Sequence, residues 1–312
     1  MITTRLRLPL IAAALLTVTL AGPAHAEPPV ARAFLNGVPS PVFFNDGDSF
    51  RALAGTHQGA QGRLAGFNTL ESFGPAHMWG TWTMKELAHY AKKATVNGRK
   101  GTWNCESDLN RDGYGRLLWW CKDLALDQVR KGYAHAMSVT EAPADPDLLA
   151  VQAEAITARR GIWAHGVPDY VLTSLHSTSE GYPDPYNRLV STKDGSSKKW
   201  LHQQNYPECS LPCTPSEDAD DAAIAALAKA LIGTPPFAQM TELTLIEHIK
   251  AHVTTGMFGE VPQGADRFAI ENAVARAIAS GELRISKKPV ACMLYVDFTR
   301  RYGAKRASCL NK

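Results

Sequence analysis

From residue 30 to residue 67 short apolar runs alternate with turn signals at Asn36-Gly37, Asn45-Asp46-Gly47-Asp48 and the stretch Thr56 to Gly62. That rhythm predicts short antiparallel strands. A helix is expected next, because Thr83 and Glu86 have capping-box spacing, Met84, Leu87, Ala91 and Ala94 share one face, and Asn97-Gly98 reads as the stop. Two strand-like runs, 101–106 and 116–122, flank Asn110-Arg111-Asp112-Gly113-Tyr114-Gly115 as a hairpin with an extended tip. Residues 124–131 read as a short helix ended by Gly132, and Asp145-Pro146 opens a helix running to Gly161. Strands and helices are segregated rather than alternating, which predicts an α+β fold built on a small, partly open barrel.

After His165-Gly166-Val167-Pro168 the texture changes. Residues 169–213 are rich in Ser, Tyr, Pro and Asn, with a strand pair expected around Asp194-Gly195. Residues 219–232, 243–253 and 266–279 read as amphipathic helices, and 290–298 as a closing strand between two cysteines. The expected organisation is a signal peptide over 1–26, a folded domain over 27–168 and a mostly helical, disulfide-containing extension over 169–312.

Composition adds limits. The chain has 312 residues, 45% of them hydrophobic and 20% charged, which is globular composition and more length than one core usually organises. Arg5 and Arg7, the apolar stretch Leu8 to Leu20, and Ala24-His25-Ala26 fit a secretory signal with a small-x-small cleavage site. A secreted or periplasmic product is therefore expected, with no stable membrane insertion once the signal is removed. Cleavage leaves 31 basic against 30 acidic residues, so whole-chain charge gives no argument for a nucleic-acid partner. All six cysteines follow the cleavage site and read as disulfides. Cys105 and Cys121 lie symmetrically about Gly113, as facing hairpin positions would, and are paired on that ground. The pairing of Cys209, Cys213, Cys292 and Cys309 stays open, and a four-sulfur zinc site is the competing reading.

Four blocks carry a resemblance. Asn45-Asp46-Gly47-Asp48-Ser49, then Gly62-Arg63-Leu64 with Asn68-Thr69-Leu70-Glu71, then Asp112-Gly113-Tyr114-Gly115-Arg116, then Val129 to Ala134 with Arg160-Gly161-Ile162-Trp163, resemble the staphylococcal nuclease (thermonuclease) family over about residues 30–165. The resemblance implies a five-stranded OB-type barrel with three helices, and calcium-dependent phosphodiesterase activity on DNA and RNA. It also implies Ca2+ ligands at Asp48, Asn68 and the Thr69 carbonyl, with Arg63, Glu71 and Arg116 as catalytic residues. The family usually carries an aspartate at the position of Asn68 and a proline at that of Leu70. Asn68 removes one negative charge from the cation site, so weaker calcium binding is expected.

The chemistry stands beside the name. Cleaving a phosphodiester needs positive groups around the phosphate and a base for the attacking water. Arg63 and Arg116 suit the first task, because a guanidinium stays charged and offers a planar fork to two oxygens. Glu71 suits the second, and Tyr114 is placed to pack against the nucleotide. Blander readings exist for each: a turn for Asp46-Gly47-Asp48, solvated strand or hairpin residues for the arginines, solvated helix ends for Lys92-Lys93 and Arg99-Lys100. Trp103, Trp119 and Trp120 read as barrel core, and the histidines lack metal-ligand spacing. The extension has balanced charge over 169–312 and no evident basic face. The rival to a secreted calcium-dependent nuclease is a non-catalytic module that binds nucleic acid or an anion. A third reading gives the extension a cell-envelope partner.

Overall fold

A computed structural model describes residues 31–74, 76–181, 184–214, 217–255, 265–287 and 290–310. The expected signal peptide lies outside the described residues. The elements follow in chain order. Strands β1 (Ala31–Leu35), β2 (Val38–Asp46), β3 (Ser49–Ala52), β4 (Gln61–Leu64), β5 (Phe67–Thr69) and β6 (His77–Trp79) precede helix α1 (Met84–Lys100). Then come β7 (Thr102–Cys105), β8 (Leu117–Trp119), α2 (Lys122–Arg130), β9 (Ala134–Ala136) and α3 (Pro146–Thr157). The extension contributes β10 (Tyr170–Ser174), β11 (Tyr186–Ser191), β12 (Ser197–Leu201), β13 (Glu217–Ala219), α4 (Asp221–Leu231), α5 (Glu242–Thr255), α6 (Ala265–Ser280), β14 (Ile285–Lys287) and β15 (Ala291–Met293).

The main sheet has six strands in the order β7-β1-β2-β3-β4-β8, one more than the expected barrel count. The sheet curls until its edge strands approach. Glu106 and Trp120 exchange backbone hydrogen bonds of 2.9 and 2.8 Å, and the Cys105–Cys121 disulfide joins the two edges beside them. The expected pairing of those cysteines holds, next to the antiparallel Glu106–Trp120 bridge of the hairpin, and because β7 and β8 stand at opposite ends of the sheet order it also clasps the barrel. Asn36 and Gly37 turn β1 into β2 with φ of 48° and 80°, the left-handed pair that a type I′ turn requires. Period-two burial then sends Ala33, Leu35, Val42, Phe44, Phe50, Leu64 and Trp119 into the barrel core.

Helix α1 begins as expected, with Thr83 and Glu86 capping each other reciprocally. It does not stop at Asn97-Gly98. Gly98 is buried inside the helix, where an added β-carbon would lie 2.9 Å from the Phe44 ring, so the glycine serves close packing and the helix ends at Gly101.

Among the described residues the extension combines the helices α4 to α6 with six short strands, β10 to β15, more of its residues being helical than extended. The three-stranded sheet β10-β11-β12 turns at Asp194-Gly195 as expected, and α4, α5 and α6 share a separate apolar core. It is stitched to the barrel part at two places. Asp194 and Gly195 accept backbone hydrogen bonds of 2.8 and 2.7 Å from Ala144 and Ser138, and β15 pairs antiparallel with β6. Val171 and Ala291 share a core with Leu70, Trp79, Trp82 and Trp163, so burial runs across the break at residue 168. The remaining cysteines form Cys209–Cys309 and Cys213–Cys292, which removes the zinc reading. Among the described residues no helix is long and apolar enough to cross a membrane.

Candidate active site

Strand β2 ends at a bulge, where Asp46 pairs with Ser49 across the turn Gly47-Asp48. The Asp46 carboxylate accepts hydrogen bonds from the Ser49 hydroxyl (2.6 Å) and the Asp48 N–H (3.3 Å), an Asx arrangement that fixes the turn. Gly47 cannot carry a side chain, because a β-carbon would lie 2.6 Å from both Ala94 of α1 and Thr69 of β5. The side-chain amide of Gln128 locks the same spot from α2, donating to the Ala94 carbonyl at 2.9 Å and reaching the Gly47 carbonyl at 3.4 Å.

Asp48 is thereby pressed into the protein. Its Oδ2 accepts from the Thr69 N–H (2.7 Å) and hydroxyl (3.1 Å), and its Oδ1 pairs with the Arg63 guanidinium. Arg63 stands opposite Ser49 in the register of β3 and β4, and the period of two explains its direction. Gly62 before it leaves room for the Phe50 and Trp119 rings in the core, so Arg63 faces the other way, into the site. The same guanidinium donates to Asn68 Oδ1 at 2.7 Å, while the Asn68 amide donates to the Thr69 carbonyl at 2.8 Å. His135, opposite Asn68 in β9, is held neutral, its pKa pushed down to about 4 by burial.

The electrostatics follow from this crowding. Burial works to raise the Asp48 carboxyl, but the Arg63 charge and the Thr69 N–H prevail and hold it below its ordinary value. Asp46 is pushed up to about 7 by burial first and then by the Asp48 charge, which outweigh the Ser49 hydrogen bond and the Arg63 charge. Glu71 sits in the loop after β5, raised first by burial and then by Asp48, and drawn back by the charges of Arg301, Arg63 and Arg116.

Arg116 reaches the group from the hairpin tip. Asp112 organises that tip: its carboxylate accepts from the backbone N–H of Tyr114 and of Arg116 (2.9 Å each) and from Arg116 Nε (2.7 Å). The Arg116 guanidinium lies 5.5 Å from the centre of the Tyr114 ring, and Tyr114 is 81% exposed. Asp48, Arg63, Asn68 and Thr69 thus touch one another directly, Glu71 and Arg116 border them through charge, and Tyr114 stands at the open rim.

Two neighbours were missed by sequence reasoning. Arg301 and Tyr302, from the end of the extension, lie near enough for their charge to act on or respond to Glu71. Arg301 also packs along Gly74, where an added β-carbon would be 3.5 Å from its Cδ. No local motif announces either residue. Their position depends on β15 pairing with β6, three residues beyond Gly74.

The chain thus carries a curled mixed sheet with three flanking helices and gathers arginines and carboxylates on one wall. Residues 62–165 match the family model described as staphylococcal nuclease homologue, and this part of the chain carries that domain. Asp46 and Asp48 precede the matched stretch, and the extension lies beyond it. No curated protein matches the chain.

The residues fit a hard cation in kind. Every donor is oxygen, from Asp46, Asp48, Asn68 and the Thr69 carbonyl, and the buried Asp46 and Asp48 carboxylates lie close enough for the Asp48 charge to raise Asp46. They are poor in number: with Asn68 neutral, no cluster of three or more acidic, histidine or cysteine side chains poised for a metal exists among the described residues.

Proposed function

We propose that the chain is an exported nuclease that hydrolyses phosphodiester bonds of DNA or RNA with calcium. Arg63 and Arg116 bind the phosphate and stabilise the charge that grows on its equatorial oxygens. Glu71 orients the attacking water and takes its proton. Burial with Asp48 raises its proton affinity toward that task, while three arginine charges keep it ionisable. Asp48, Asn68 and the Thr69 carbonyl would hold Ca2+, which when bound polarises a phosphoryl oxygen and orders water. Tyr114 packs on the nucleotide at the rim. The three disulfides agree with an oxidising compartment outside the cytoplasm.

The observation that carries the reading is the gathering of Arg63 and Glu71 with the sequence-distant Arg116 around the Asp46–Asp48 turn. One observation favours the rival, non-catalytic reading: Arg63 is held by Asp48 and by Asn68, leaving less of it free for an anion. Plasmid digestion across a calcium titration separates the two. Cleavage that rises with calcium, saturates near the millimolar range and vanishes with chelator supports the nuclease. No cleavage at high protein concentration and any calcium level supports the rival.

A further inference from the structure

The last turns of the extension lie beside the site and carry an unusual surface. Antiparallel pairing of β15 with β6 and the Leu294 N–H to Ala76 carbonyl hydrogen bond (2.8 Å) fix residues 291–294 against the segment that follows Glu71, and the disulfides Cys213–Cys292 and Cys209–Cys309 hold both ends of residues 292–309 to the 209–213 stretch of the extension. Arg301 then projects along Gly74, its Nε donating to the Val296 carbonyl at 3.0 Å. Among the described residues its terminal nitrogens have no hydrogen-bond partner. Phe298 and Tyr302 present their rings edge to face, centroids 6.1 Å apart, and are 69% and 53% exposed. Residues 297–306 hold Arg300, Arg301, Lys305 and Arg306 against one acid, Asp297, and among the described residues only Arg300 of the four cations has an ion pair, with Glu208.

An exposed aromatic pair bordered by cations, with the Arg301 guanidinium 5.7 Å from the centre of the Phe298 ring, suits a polyanion with free ring faces. Duplex bases cover their faces by stacking on each other, whereas an unpaired base can lie on an aromatic side chain while its phosphates meet arginine and lysine. We propose that residues 297–306 form a second wall of the substrate cleft, where Arg301 grips the phosphate backbone and the Phe298–Tyr302 pair stacks a base, giving preference for single-stranded nucleic acid. The inference rests on the nuclease reading for the identity of the substrate, but it can be tested by binding alone. Tyr114, on the hairpin tip, belongs to the rim described above; this wall comes from the other end of the chain.

The test measures binding of a fluorescent single-stranded 12-mer, as DNA and as RNA, and of the matching DNA duplex, to the full-length protein in chelator. Phe298→Ala/Tyr302→Ala truncates exposed rings and Arg301→Ala removes one phosphate contact; thermal melting verifies that both variants stay folded. The double variant should weaken single-strand binding at least tenfold and duplex binding less than twofold. Arg301→Ala should weaken both and lower the salt slope of log Kd by about one. Unchanged single-strand affinity in the double variant overturns the proposal, as does equal loss on duplex and single strand. If the wild-type protein binds the single strand but cleaves nothing, the catalytic reading fails while the wall stands; if it cleaves but the double variant binds normally, the wall fails alone.

Discussion

In residues 31–165 the sheet curls until its edges meet, so the strands satisfy each other's backbone groups and one aromatic-rich core fills the interior. In residues 169–310 burial is split among a helical cluster and two smaller ones, two disulfides spanning 79 and 100 residues tie the chain end to residues 209 and 213 of the same extension, and β15 pairs with β6 of the barrel part. The first region makes its site from local turn chemistry on a rigid wall. The second brings residues to that site only through long-range constraints. Charge near Glu71 therefore has two origins, one set by the barrel and one lent by the extension.

The sharpest way to break this contrast is at Arg63, which serves structure and chemistry together. Arg63→Ala should lower cleavage by about 100-fold or more and, by leaving Asp48 buried without its partner, cost about 3–5 kcal/mol of stability in urea unfolding. Arg116→Ala should show a comparable loss of cleavage with stability changed by less than about 0.5 kcal/mol, because its partner Asp112 is on an open tip. Equal stability costs at the two arginines would contradict the distinction between wall and tip.

Cys213→Ser/Cys292→Ser tests the extension's dependence on its own internal cross-link. A loss of about 2–5 kcal/mol is expected, with hydrogen exchange rising over 290–310 while β1 to β4 stay protected. Exchange rising equally in both regions would mean that they unfold as one unit.

The smallest effect concerns His77, which lies in β6. Both ring nitrogens are buried without a hydrogen-bond partner, and burial pushes its pKa down to about 3. The unfolded chain takes up a proton near pH 6.5 that the folded one refuses, so stability falls as pH drops from 6.5 toward 3, at up to about 1.4 kcal/mol per pH unit. His77→Phe should flatten that part of the stability profile in urea titrations; an unchanged slope would assign the acid sensitivity to other groups.

Much of the barrel was legible because its signals are local. The Asn36-Gly37 turn, the Thr83/Glu86 capping box and the Cys105–Cys121 pair each depend on residues near one another in sequence or symmetric about a tip. The stop expected at Asn97-Gly98 failed because Gly98 answers to Phe44, a tertiary neighbour that no local pattern shows. The motif residues do gather, but the grip of Arg63 on both Asp48 and Asn68 could not be read from spacing. Arg301 and Tyr302 were invisible for a further reason: balanced charge over the whole extension hides a cationic cluster confined to its last turns.

The most direct measurement of the central claim is hydrolysis of a defined single-stranded oligomer by the wild-type protein and by Glu71→Gln, each with calcium and with chelator, after melting curves verify that both are folded. Cleavage by the wild type with calcium alone, and at least a 100-fold slower rate for Glu71→Gln, is the predicted result. Cleavage at equal rates by the two proteins, or by the wild type in chelator, would contradict the assignment of Glu71 and its arginines to a calcium-assisted phosphodiester site.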